Sequence, residues 1–252
     1  MIIVYYLLLF INDGGNINMC KIALVVGIDN YKTSPLSGCC NDADAMNRLL
    51  SFNEDGSPNF EVECKKNVMS KGLLRGYIEK CFDSDAETAL FYYSGHGYVD
   101  TCGGYLVTPD YSKNDWGVNM CDILAIVNKS RCRNKIVILD CCYSGNMGEI
   151  SASNSKLTEI GEGVTILTAC KKTETAAEIG GKGLFTSLLM EALSGNAADL
   201  LGYITPGSIY AYIDKALGLW GQRPVFKTNI TRFVPLRKIN PQVDISIIRN
   251  LR

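Results

Sequence analysis

Histidine is almost absent from this chain: there is one, His96, in 252 residues. Any mechanism that needs an imidazole must use that residue, and a mixed Cys/His zinc site has a single imidazole to draw on. No CxxC pair occurs among the eleven cysteines, whose number is odd. Neither a zinc ribbon nor a disulfide framework is signalled, and free thiols in a reducing compartment fit better. Charge of one sign is lacking too: 25 Lys+Arg stand against 26 Asp+Glu, with no basic run interleaved with aromatics. Nucleic acid is therefore not an expected partner. Long apolar runs are missing. The first eleven residues, MIIVYYLLLFI, are apolar but too short to span a bilayer, and they have no basic n-region or small-residue cleavage site. They read as an extra edge strand or as an extension upstream of a chain that begins near Met19. The expectation is a cytoplasmic protein without a membrane anchor, with residues 1–19 set apart as an N-terminal extension.

What is present is an alternation of buried-type apolar runs with longer amphipathic stretches, the pattern of a parallel sheet covered by helices. A chain of this length commonly forms one α/β domain. KIALVVGI (21–28), FEVECKKN (60–67), TALFYYSGHG (88–97), KIVILD (135–140), GVTILTAC (163–170) and RPVFKTNI (223–230) read as strands. NDADAMNRLLSF (41–52) reads as a helix that starts at an N-cap-type Asn41 and carries Asp42 and Asp44 in its first turn. Further helices are expected at 71–82, 122–130, 183–195 and 208–220, and a short hairpin-like piece around GYLVTPD. The Ser/Gly/Asn-rich segment after Gly145 reads as a long loop, of the kind that inside a compact domain is usually functional or disordered.

Two of the strands end on chemistry. His96 follows one strand between Gly95 and Gly97, and Cys141 and Cys142 follow the next. Open α/β sheets place their sites at the carboxyl edge of the strands, so these groups would share one edge. A thiol becomes a competent nucleophile as the thiolate, which a nearby imidazole stabilises before it protonates a leaving amine. Adjacent side chains leaving a strand point to opposite faces, so only one of the two thiols can readily face His96.

The blocks YYSGHG and ILDCCYSG resemble the catalytic signature of the caspase-like clan of cysteine peptidases, above all metacaspases and related bacterial caspase-domain proteins. Cys142 follows His96 by 46 positions, against about 50 in caspases. VVGIDNYKTSPLSGCCNDADAM, ILTACKKTETAAE and GKGLFTSLLMEAL also match, so the resemblance covers residues 20 to about 230.

This resemblance implies a caspase-like three-layer α/β sandwich, with a mostly parallel six-stranded sheet and helices on both faces. It divides residues 20–235 into a large-subunit-like part (20–145), a linker loop (146–162) and a small-subunit-like part (163–235), with a C-terminal tail at 236–252. It implies a cysteine endopeptidase with His96 and Cys142 as the catalytic dyad, acting through a thioester acyl-enzyme, and with the backbone N–H groups of Gly97 and Cys142 as the oxyanion donors. Cys141 fills the small position before the nucleophile. The metacaspase pattern further implies cleavage after Arg or Lys, in a pocket formed by Asp42, Asp140, Cys39 and Ser94. Two carboxylates suit a guanidinium or ammonium. Tyr143 departs from that pattern, standing where metacaspases commonly have His.

Lys156, in the linker, is a candidate self-cleavage site. No cofactor or metal is expected to be required. Calcium activation stays open on Asp110, Asp115 and Glu149, which have no recognisable loop spacing. The expected partners are a protein or peptide substrate and a separately encoded activator in a bacterial stress or defence system. Two rival readings are a catalytically silent caspase-like scaffold and a thiol redox sensor built on Cys141 and Cys142.

Overall fold

The central element is a six-stranded sheet, seen in a computed structural model that describes residues 20–141, 159–169, 178–179, 182–218, 223–244 and 246–247. In chain order the large strands are β1 (Lys21–Gly27), β2 (Glu61–Lys66), β3 (Thr88–Ser94), then β4 (Gly97–Asp100), β5 (Gly103–Ser112) and β6 (Asp115–Asn119) of a separate sheet, β7 (Asn134–Asp140) and β8 (Val164–Thr168). Short pairings follow at β9 (Glu178–Ile179), β10 (Lys182–Gly183) and β11 (Tyr203–Ile204), before β12 (Val225–Thr228) and β13 (Arg237–Lys238). The main sheet runs β12-β8-β7-β3-β1-β2. All its pairings are parallel except β12 with β8. The mixed sheet agrees with the mostly parallel one that the sequence implied.

Each central strand is buried on both faces, which is why it reads as a continuous apolar run. In β1, Leu24 and Val26 face one core cluster while Ala23 and Val25 face the other. Helices α2 (Lys71–Phe82) and α3 (Met120–Lys129) cover the first face with Leu74, Ile78, Ile123, Leu124 and Val127. Helices α1 (Cys39–Ser51), α4 (Leu184–Glu191) and α5 (Pro206–Leu217) cover the second with Met46, Leu50, Leu189, Ile209 and Ile213. This is the three-layer sandwich expected. At roughly 1.5–3 kcal/mol for each fully buried large side chain, these two clusters supply the dominant stabilising term.

The sequence placed the start of α1 at Asn41, and the structure corrects it. The helix begins at Cys39 after Gly38, which makes no side-chain cap. The capping acceptor is Asp29, ten residues upstream: its two carboxylate oxygens accept from Cys39 N at 2.9 Å and Cys40 N at 3.1 Å. Asp29 therefore satisfies two of the orphan donors at the helix end and complements its dipole. The predicted helix at 183–195 also changes character, passing into a π-helical turn at Ala192–Asn196. Leu236 is fully buried, and β13, in the segment read as a tail, pairs antiparallel with β11.

The hairpin-like piece around GYLVTPD is the middle of a three-stranded antiparallel sheet, β4-β5-β6. Its exposed side carries an aromatic stack, with Trp116 on β6 at 3.9 Å from Tyr98 on β4 and at 6.0 Å from Tyr111 on β5.

Candidate active site

The chain reverses its direction of progress across the sheet between β1 and β3, and open α/β sheets hold their ligands at the carboxyl ends of strands beside such a switch. Here Gly27 of β1 lies opposite Ser94 of β3, and Ser94 lies opposite Asp140 of β7. A side chain on residue 27 would meet the Cys39 carbonyl oxygen at 2.1 Å, so glycine there lets the start of α1 settle onto the sheet edge. That approach delivers Cys39 and Asp42 to the neighbourhood of Ser94 and Asp140.

The four residues the sequence assigned to a substrate pocket are thus neighbours, and all are buried. Ser94 Oγ donates to Asp42 Oδ2 at 3.3 Å. The Cys39 thiol hydrogen-bonds with Ser94; burial pushes its pKa far up, and the nearby carboxylates of Asp29, Asp42 and Asp140 add to the effect. Cys39 is accordingly held as a neutral thiol, a wall rather than a nucleophile. Burial also raises the Asp140 carboxyl above its ordinary value, an effect partly offset by hydrogen bonds from the Thr186 side chain and backbone in the first turn of α4. Tyr92 OH lies 2.7 Å from Thr186 Oγ1 and fixes that partner in turn. Among the described residues no lysine or arginine forms an ion pair with Asp140.

His96 lies just past β3 and is half-buried. Its ring Nε2 is 2.7 Å from the Ser34 carbonyl oxygen. A carbonyl can only accept, so Nε2 carries a hydrogen, and in the neutral ring this leaves the lone pair on Nδ1. Tyr31 packs its ring against the imidazole at 4.5 Å, and Tyr31 OH accepts from His96 N at 3.0 Å. The His96 carbonyl accepts from Val107 N at 2.9 Å and from Tyr93 OH at 3.1 Å. Backbone and ring are therefore both fixed. Gly97 opens β4 directly after it.

Cys141 is buried at 3 % exposure, in the cluster that holds Tyr31 and Tyr93, on the face opposite the acid cluster. Cys142, Tyr143, Glu149 and Lys156 lie outside the described residues, as does the first eleven-residue apolar stretch. The nine described cysteines form no disulfide with one another. Of the three residues on which calcium activation was left open, Asp110 and Asp115 are described, and both engage Lys71. Asp110 accepts from Lys71 N and from Thr108 Oγ1, at 2.6 Å, and Asp115 pairs with Lys71 Nζ at 2.7 Å. Among the described residues no helix is long and apolar enough to cross a membrane.

Sequence reasoning missed Asp29, Tyr31, Ser34 and Thr186. Of these only Asp29 had a visible signal, an acid in the loop just after the first central strand.

The caspase-domain profile of the C14 peptidases matches residues 20–232. The chain belongs to the caspase-domain family. No curated protein matches it. Among solved structures it is similar to a Geobacter sulfurreducens protein determined by structural genomics, with 16% identity and a TM-score of 0.63 over 88% of this chain and 98% of that one. It is also similar to caspase-1 of Spodoptera frugiperda, with 16% identity and a TM-score of 0.62 over 90% of this chain and 94% of that one. The caspase-domain fold of a cysteine peptidase is thereby shown, and a protein substrate suits that family.

Proposed function

We propose that this caspase-domain protein is a cysteine endopeptidase that cuts after Arg or Lys, with Cys142 as nucleophile and His96 as its acid and base. With Nε2–H donated to Ser34, Nδ1 is the nitrogen that takes the thiol proton. The Cys142 sulfur attacks the scissile carbonyl, and the oxyanion is held by the backbone N–H groups of Gly97 and Cys142. As the tetrahedral intermediate collapses the C–N bond breaks, His96 returns the proton to the departing amine, and a thioester remains. Water then attacks the thioester, releasing the carboxylate and restoring the thiol.

The observation that most supports the basic preference is the Asp140 carboxyl, buried beside Asp42 and Ser94 with no ion-pair partner among the described residues. A buried carboxylate is costly to ionise until it is paired. An Arg or Lys side chain entering from the substrate supplies that pair, and the bidentate geometry favours Arg. An activator encoded elsewhere belongs to the same reading.

Hydrolysis of fluorogenic peptides varied at the residue before the cut tests this reading. Wild type should cleave Arg and Lys peptides; Cys142→Ala and His96→Ala should be inactive, while Cys141→Ala keeps activity. Cleavage after Asp instead, or activity surviving Cys142→Ala, would sink it. If no peptide is cut, titration with an active-site-directed thiol reagent decides between a peptidase awaiting its activator and a silent scaffold, since only the former labels at Cys142 in a His96-dependent way.

A further inference from the structure

The opposite, amino-terminal edge of the parallel sheet holds a cavity of about 280 Å³, lined by residues 130–135, 162–163 and 231–232. Its charged lining is one-sided: Arg131, Arg133, Lys135 and Arg232 against the single acid Glu162. Two of the cations are already engaged. Arg131 pairs with Asp85 at 3.0 Å and Arg133 with Glu87 at 3.2 Å. Arg232 is exposed and forms no ion pair among the described residues.

Lys135 differs from the rest. It is only 7% exposed, yet it makes no side-chain hydrogen bond or ion pair among the described residues. Burial lowers its pKa below the ordinary lysine range. Glu162 is near enough to act on it electrostatically, but the Glu162 carboxylate accepts instead from Thr231 Oγ1 at 3.3 Å. The Lys135 backbone is tied to the residue before β8: its N–H donates to the Gly163 carbonyl at 2.8 Å. A side chain on residue 163 would lie 3.5 Å from Lys135 Nζ and 2.0 Å from the Arg133 carbonyl oxygen, so only glycine, at φ +76°, fits there. The Lys135 side chain thus lines the cavity with the Glu162 carboxylate nearby and no direct hydrogen-bond or ion-pair partner among the described residues, which leaves it available to an anion.

We propose that this cavity binds a small phosphorylated anion carrying at least two negative charges, at a site separate from the peptidase edge. Lys135 supplies a largely buried point charge, and the fork of Arg232 matches phosphoryl oxygens in bidentate fashion, with Arg131 and Arg133 adding positive field around their own ion pairs. The volume lies just below the usual range for small-molecule pockets, which favours a compact phosphate or diphosphate group over a bulky ligand. Lys135 and Asp140 are five residues apart on β7, about 17 Å along an extended strand, so the ligand does not touch the catalytic edge. This assignment does not depend on the peptidase reading.

Isothermal titration of the full chain with inorganic pyrophosphate tests it, with sodium sulfate at equal ionic strength as the control. The expected result is saturable one-to-one binding that weakens with added salt. Lys135→Met, which keeps the length and removes the charge, should weaken binding tenfold or more, and Arg232→Gln severalfold. No saturable heat at millimolar pyrophosphate overturns the proposal, as does equal heat with sulfate. Should Lys135→Met fail to fold, the exposed Arg232→Gln decides the matter: unchanged affinity there, in a protein of unchanged circular dichroism, also overturns it.

Discussion

The carbonyl oxygen of Ser34 holds the imidazole of His96, 62 residues away in sequence, through a 2.7 Å contact to Nε2. Ser34 makes that contact from a left-handed backbone conformation, φ +60°. Left-handed geometry costs an ordinary side chain roughly 1–2 kcal/mol, and more for a β-branched one. The loop thus pays strain to aim a carbonyl. Ser34→Gly should keep kcat within about twofold, whereas Ser34→Val should lower kcat about tenfold with a smaller change in KM, as expected when a catalytic group is misoriented. Steady-state kinetics on an Arg peptide would decide, and equal kinetics for both variants would show that the contact positions nothing.

Asp140 links stability to pH. Burial raises its native pKa above the usual 3.8, so the native state binds that proton more tightly than the unfolded state does. Its contribution is fully present below the unfolded pKa and declines as pH rises through the native one. Asp140→Asn removes this dependence. The variant's stability relative to wild type should therefore be greater at pH 7 than at pH 4 in urea melts. The same change should lower kcat/KM for Arg peptides roughly 30-fold or more, in line with about 2–5 kcal/mol for losing one partner of a buried charge pair. A variant that still prefers Arg would remove Asp140 from the pocket.

Asp29 caps α1 from outside the helix, and α1 carries Cys39 and Asp42. Losing a cap of this kind costs about 1–2 kcal/mol. Asp29→Ala should show that loss as a lower urea midpoint, together with a raised KM for basic peptides, and Asp29→Asn should recover part of both. A lower midpoint with unaltered KM would separate the cap from substrate binding.

Lys156 is the basic residue of the linker loop, and a peptidase with this preference would cut itself there. Intact mass after incubation should show two fragments for wild type and one uncut chain for Lys156→Ala and Cys142→Ala. A single uncut mass for wild type would rule out self-processing at this residue.

The sheet was legible because its strands are buried on both faces: runs such as IALVV and IVIL have no amphipathic reading to compete. Helix α2 was read at its observed bounds because Ser70 caps it locally, accepting from Leu73 N. Helix α1 was not, because its cap is an acid on a different loop, and no local pattern carries that information. Strands β4 and β6 escaped because they are short and take their form from pairing with β5. The gathering of Cys39, Asp42, Ser94 and Asp140 was foreseen through family likeness, and its physical cause, the bare Gly27 under the start of α1, appears only in three dimensions. Among the cations of KSRCRNK (129–135) only the fold, by burying Lys135, sets one apart.

The stack of Trp116 on Tyr98 and Tyr111 gives the protein an optical reporter. The chain has two tryptophans, and a Trp220→Phe variant would leave Trp116 as the sole indole emitter. That indole sits on the same small sheet that begins at Gly97, directly beside the imidazole. A change in its emission on addition of an inhibitor would report on this sheet in real time, with no dye attached to any of the cysteines.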